Sequence, residues 1–204
     1  MTESEYDYSR INEFEKGQLP TGFLGNVYNI SYKWLSIIPE PSEPVKILEI
    51  GICHGANVCS YMKTYAKHPK SEIHCIDPYI DYQEYPEYKE KQLTHYSIFM
   101  NNLSKLAPVD LNKIYFYRDL SSTILLQMKD DSFDIIYIDG NHETRYVLED
   151  AVLCHRKIKK GGWIIFDDVH DSQVISAINA FLGINSDLFE GFFVQHSQLF
   201  IKRK

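Results

Sequence analysis

The sequence predicts an α/β fold: a mostly parallel sheet of seven strands with helices on both faces, ending in an antiparallel hairpin. Three observations predict it. Short apolar runs of strand length alternate with longer segments of helical period. The runs are apolar nearly throughout instead of alternating, as strands covered on both faces are. Near the C-terminus the alternation stops, and two runs flank a four-residue turn.

Taken in order, about Leu24–Ile37 reads as a helical segment, and the connector Pro39–Pro44 leads from it to the first strand, Val45–Ile50. Residues 1–44 therefore read as a helical or lid-like extension, and 45–204 as the core of a single domain. Ile73–Ile76, Ile114–Tyr117, Phe133–Ile138 and Trp163–Phe166 follow as strands. Gly55–Tyr65, roughly Glu87–Leu106, Ser121–Met128 and Glu143–Ile158 are the helices between them. Asp171 or Ser172 caps a last helix running to about Phe181. Leu188–Val194 and Leu199–Lys202 then form the hairpin around Gln195–Gln198.

Composition narrows the function classes. The net charge of −7 argues against a phosphate-tracking surface, so nucleic acid is not the expected partner. The short basic stretch Arg156–Lys160 better suits the C-terminal end of a helix dipole. No apolar run reaches membrane-spanning length. Met1–Arg10 is acidic and aromatic, without a basic n-region, which points to the cytoplasm. Cys53, Cys59, Cys75 and Cys154 show no paired spacing and read as reduced thiols.

Ile47–Gly55 (ILEIGICHG) ends a strand and opens a helix. Gly51 permits the tight turn, and Gly55 lets backbone approach a ligand closely. The spacing is not that of a nicotinamide fingerprint, and the acidic Glu49 suits a cationic sulfonium with an amino-acid tail better than a pyrophosphate. Asp77 ends the second strand, where a carboxylate can accept ribose hydroxyl protons. Asp119 follows the third strand, where an adenine amino group would sit. Ser121 either meets the ring edge or caps the next helix, with capping the stronger reading. These carboxylates share one crevice at the point where strand order reverses.

With these residues in place, the chain from Val45 to Lys204 resembles class I S-adenosylmethionine (SAM)-dependent methyltransferases, which have a Rossmann-like sheet with a closing hairpin. Phe133–His142 (FDIIYIDGNH), Asp150 and Lys160–Asp168 (KGGWIIFDD) look like the methyltransferase-24 group. They are also similar to the macrocin O-methyltransferases and, more distantly, to catechol O-methyltransferases. The resemblance implies SAM binding at Glu49, Gly51, Gly55, Asp77 and Asp119, with Ser121 and Asp139 nearby.

Asp139, Asp167 and Asp168 end the fourth and fifth strands, and three carboxylates together call for a neutralising cation. The resemblance implies Mg²⁺ there, although the catechol enzymes carry Asn at the position of Asp168. Alternatively, Asp167-Asp168 only shapes a loop while Asp139 holds the methionine end of SAM. His142 stands where the catechol enzymes place a lysine base, and a neutral imidazole can accept a hydroxyl proton. Alternatively, His142 only caps the helix that begins at Glu143 or packs on the sulfonium, and His170 is the second candidate base. His54 reads as a backbone-side contact or as solvated. The tyrosines of Asp77–Tyr88 form a lid or stack on a sugar ring, or else pack on the sheet edge or across a homodimer.

The expected activity is O-methylation of a small sugar, polyol or catechol-like hydroxyl, with Mg²⁺ as second cofactor. Metal-independent N-methyl or aminopropyl transfer, and a catalytically silent SAM-binding subunit, are the rival readings.

Overall fold

A computed structural model of the chain describes residues 16–27, 30–81 and 89–204. Its seven-stranded sheet consists of β1 (Lys46–Ile50), β2 (Glu72–Ile76), β3 (Ile114–Tyr117), β4 (Phe133–Ile138), β5 (Ile158–Phe166), β6 (Phe189–Gln195) and β7 (Gln198–Arg203). The spatial order is β3-β2-β1-β4-β5-β7-β6. β1 to β5 run parallel, and β7 lies antiparallel to both of its neighbours. The helices are α1 (Ala56–Tyr61), α2 (Gln92–Leu103), α3 (Pro108–Leu111), α4 (Ser121–Gln127), α5 (Thr144–Lys157) and α6 (Ser172–Asn185). No helix among the described residues is long and apolar enough to cross a membrane.

Both faces of the sheet are buried, which is why its strands read as continuous apolar runs. Leu48, Ile50, Ile136 and Ile138 pack with Val147, Ala151, Cys154, Val174 and Phe181 of α5 and α6. Ile47, Ile135 and Tyr137 pack on the other face with Trp34, Val58, Tyr61 and Phe99. Glu49 lies on this second face, since residues two apart in a strand share a side.

Three expectations change. The segment read as a helix over Leu24–Ile37 holds only a 3-10 turn, Ser31–Ser36, among its described residues. Its backbone groups are satisfied by tertiary partners instead of i−4 carbonyls. Leu24 N–H donates to Asn102 Oδ1, Asn26 N–H to His54 Nδ1 and Ser31 N–H to Asn57 Oδ1. β5 starts at Ile158, five residues before the expected strand, because Gly161 and Gly162 mask its first half. A Cβ on Gly162 would meet the Asp134 carbonyl at 2.9 Å, so the register shift beside β4 requires glycine. α6 runs on to Asn185, with the Asp171 side chain accepting from Gln173 N–H at its start.

The hairpin turn is made by His196 and Ser197, at φ 52° and 59°. Two consecutive positive φ values match the twist of the flanking strands. The Ser197 carbonyl accepts from Val169 N–H, so the hairpin is tied to the loop after β5.

Candidate active site

The ends of the parallel strands are stitched together by backbone bonds that continue the ladder. Gly51 N–H donates to the Ile76 carbonyl, Asp77 N–H to Tyr117, Asp139 N–H to Ile50 and Asp167 N–H to Ile138. Gly51, Asp77, Asp139 and Asp167 therefore share one rim, where the strand order reverses between β1 and β4. Gly51 has φ 82°, and a Cβ there would lie 1.9 Å from the Asp139 carbonyl oxygen. Gly55 has φ 79°, and a Cβ would strike the Phe99 ring at 2.7 Å. The turn admits no side chain at either position.

Asp77 organises this turn. Its Oδ2 accepts from Ile52 N–H at 2.9 Å and Cys53 N–H at 3.2 Å, and its Oδ1 from Tyr79 N–H at 2.9 Å. Burial raises its pKa, against the lowering effect of those donors and of Arg118. Glu49 is 3% exposed, and its Oε2 has no hydrogen-bond partner among the described residues. Burial, then the charges of Asp139 and Asp77, push its pKa well above the carboxylate range. A cationic ligand in this crevice would relieve that repulsion, so the acids fit a sulfonium with an ammonium tail. Asp119 is exposed, with its Oδ1 accepting from Leu120 N–H. Ser121 does not cap α4, whose N-cap is Leu120 without a side-chain bond. Its hydroxyl instead steadies the buried Asp150 carboxylate.

On the β4–β5 side, ligand atoms of Asp139, His142 and Asp168 all lie within 4.8 Å of one another. His142 Nε2 is 3.6 Å from Asp139 Oδ1 and 3.4 Å from Asp168 Oδ2. Asp168 has φ 51°, unusual for a residue with a side chain. Asp167 turns Oδ2 to the Tyr137 hydroxyl, 2.5 Å away. Burial, then repulsion from Asp167, raises the Asp139 pKa to about 7. Burial alone would lower the His142 pKa, but Asp139, Asp168 and Asp171 together raise it. That favours imidazolium, the reverse of what a resting base needs, and positive charge beside the two carboxylates would oppose the shift. The carboxylate oxygens of Asp139 and Asp168 fit a hard divalent cation, with the His142 ring beside them. His170 lies farther out, with a 69% exposed side chain and Nδ1 3.7 Å from Asp168 Oδ1.

Cys53, His54 and His95 form a second close cluster. His54 is buried, which excludes the solvated reading, and its Nε2 lies 2.7 Å from His95 Nδ1. Its Nδ1 already accepts a backbone N–H, so Nε2 must carry the ring proton and cannot ligate a metal. Burial, then the charge of His95, lowers the His54 pKa to about 3, so the ring stays neutral. Of the tyrosine loop, Tyr79 is buried and its hydroxyl donates to the Cys53 carbonyl. Tyr82, Tyr85 and Tyr88 lie outside the described residues. Tyr137, Gln198 and Trp34 are site-supporting residues that the sequence reading passed over. A hydroxyl within the otherwise apolar stretch from Ile135 to Ile138 of β4 was their one visible signal.

A methyltransferase-domain model, that of the methyltransferase-24 family, matches residues 48–169. An uncharacterized protein of Acanthamoeba polyphaga mimivirus is 28% identical over 181 residues, covering 85% of this chain and 76% of that one. Among solved structures, an O-methyltransferase from Bacillus cereus in complex with SAH is 16% identical at TM-score 0.54, covering 78% of this chain and 74% of its own. MycE of the mycinamycin biosynthetic pathway, solved with Mg and SAH, is 15% identical at TM-score 0.56; the match covers 85% of this chain but only 49% of MycE. At such identities the likeness to these structures is one of fold. The family match spans more than half of the sequence and contains the glycine turn, Asp77 and the β4–β5 carboxylates: the chain belongs to the methyltransferase-24 family of class I SAM-dependent methyltransferases.

Proposed function

We propose that this chain is a Mg²⁺-dependent O-methyltransferase acting on a hydroxyl of a small sugar, polyol or catechol-like acceptor. The observation that carries the reading is the convergence of Asp139, His142 and Asp168 on the rim shared with the Gly51 turn. Glu49, Gly51, Gly55 and Asp77 would hold SAM, with Asp119 and Ser121 toward its adenine end. Asp139 and Asp168, with Asp167 beside them, would hold the cation. When bound, SAM supplies an electrophilic methyl group, and the cation supplies charge that orients neighbouring oxygens and lowers the pKa of one. The glycine turn allows close approach, and Asp77 keeps that turn in shape. With SAM supplying that methyl group, His142 Nε2 would take the proton of the acceptor hydroxyl. Asp139 and Asp168 then stabilise the resulting imidazolium.

The test is an acceptor screen of the full chain with SAM, run with added Mg²⁺ and with EDTA. Turnover that requires the cation is expected. Turnover untouched by EDTA removes the metal from the reading, and failure to bind SAM in calorimetry removes the cofactor.

A further inference from the structure

A directed hydrogen-bond chain runs through the buried interior to the carboxylates. The Trp34 indole can only donate, and its Nε1 lies 2.8 Å from Gln198 Oε1. That contact fixes the amide, so Gln198 Nε2 faces Tyr137 and donates to its hydroxyl oxygen at 3.3 Å. The single Tyr137 hydroxyl hydrogen must then point onward. It meets Asp167 Oδ2 at 2.5 Å and Asp139 Oδ2 at 3.2 Å. Trp34, Gln198, Tyr137 and Asp167 are all buried, so water does not compete for these bonds. The other oxygen of Asp139, Oδ1, is the one that faces His142 and hence Asp168.

We infer that the Trp34–Gln198–Tyr137 chain commits the one Tyr137 hydroxyl hydrogen to Asp167 Oδ2, disfavouring coordination of a cation through both oxygens of Asp167, and thereby selects Mg²⁺ over Ca²⁺. Ca²⁺ prefers six to eight oxygens and often takes both oxygens of a carboxylate, whereas Mg²⁺ needs a compact octahedron and keeps several waters. Tyr137, Gln198 and Trp34 are positioning residues in this scheme, because they act through the aspartates. The inference rests on the cation reading proposed above.

The experiment is calorimetric titration of the metal-stripped full chain with Mg²⁺ alone and with Ca²⁺ alone. Wild type should prefer Mg²⁺. Tyr137→Phe keeps the ring but frees Asp167 Oδ2, and should lower the Mg²⁺-over-Ca²⁺ affinity ratio by about tenfold or more, the scale on which groups behind metal ligands act. Tyr65→Phe is the control, since the Tyr65 hydroxyl donates to the Ile38 carbonyl within the same aromatic cluster, and its ratio should match wild type. Gln198→Met, which no longer imposes a direction on Tyr137, should shift the ratio the same way and serves if Tyr137→Phe does not fold. An unchanged ratio in the folded variants overturns the inference and leaves the cation reading standing, whereas a wild type that prefers Ca²⁺ overturns the inference and the choice of Mg²⁺ but keeps a divalent-cation site. A wild type that binds neither cation overturns both.

Discussion

Gly51 and His142 show how single residues carry the two halves of the site. At Gly51 a methyl group would overlap the Asp139 carbonyl at 1.9 Å, and the backbone sits at φ 82°. We predict that Gly51→Ala destabilises the chain by more than about 3 kcal/mol, since strain and steric overlap add. Urea unfolding checks this, and a loss below 1 kcal/mol would mean the turn can open without cost. For His142 the proposal sets a kinetic expectation. His142→Ala should reduce kcat by about 10²–10⁴ while SAM affinity stays near wild type. His170→Ala should change kcat little, because that ring is largely exposed and lies beyond Asp168. If the two results were reversed in the turnover assay, the base would be His170. The activity should also decline on acidification, because an imidazolium cannot accept the proton.

Among the elements, α6 illustrates the agreement between local signal and tertiary use. Asp171 adopts extended backbone angles, and its Oδ1 accepts from Gln173 N–H at 2.7 Å. Val174, Ala177, Ile178 and Phe181 then bury one face against the sheet. Asp171→Ala should cost about 1 kcal/mol, whereas Asp171→Asn should keep most of the cap. Equal losses in thermal unfolding of the two variants would assign the effect to charge instead of capping. In α5, the basic last turn combines dipole and packing roles. Lys157 is buried, and its Nζ donates to the Met128 carbonyl and to Asp130. This accounts for part of the Arg156–Lys160 stretch without a nucleic-acid surface.

At the scale of the whole molecule, buried acids couple stability to pH. Asp150 of α5 is 3% exposed, and burial raises its pKa to about 7, against help from the Ser121 hydroxyl. The folded state thus disfavours its ionised form. Its contribution is fully present below about pH 4, near the unfolded pKa, and is lost as pH rises through about 7. The loss over that window is on the order of 3–4 kcal/mol, at 1.36 kcal/mol per unit. Asp150→Asn should therefore flatten the decline between pH 4 and 7 and leave the variant more stable than wild type at pH 8. Chemical denaturation at pH 5 and pH 8 tests the sign. A variant less stable at both values would show that the carboxylate is needed ionised.

The sequence by itself determined the sheet, the C-terminal ends of its parallel strands and most of the acids on their rim. Strands buried on both faces must be apolar throughout, and a carboxylate ending such a run can only stand at the rim, so Asp77, Asp139 and Asp167 were legible. Gly51 was legible because no other residue suits its turn. The tertiary structure alone decided which groups meet. Glycines hid the first half of β5, and the segment before Ser31 gave its backbone bonds to Asn102, His54 and Asn57 instead of to a helix. Ser121 turned to Asp150 instead of capping α4, and His54 was buried against His95. The chain from Trp34 through Gln198 to Tyr137 joins residues as far as 164 positions apart. Such a contact leaves no periodicity in the sequence, since hydrogen-bond partners are chosen by proximity in the fold.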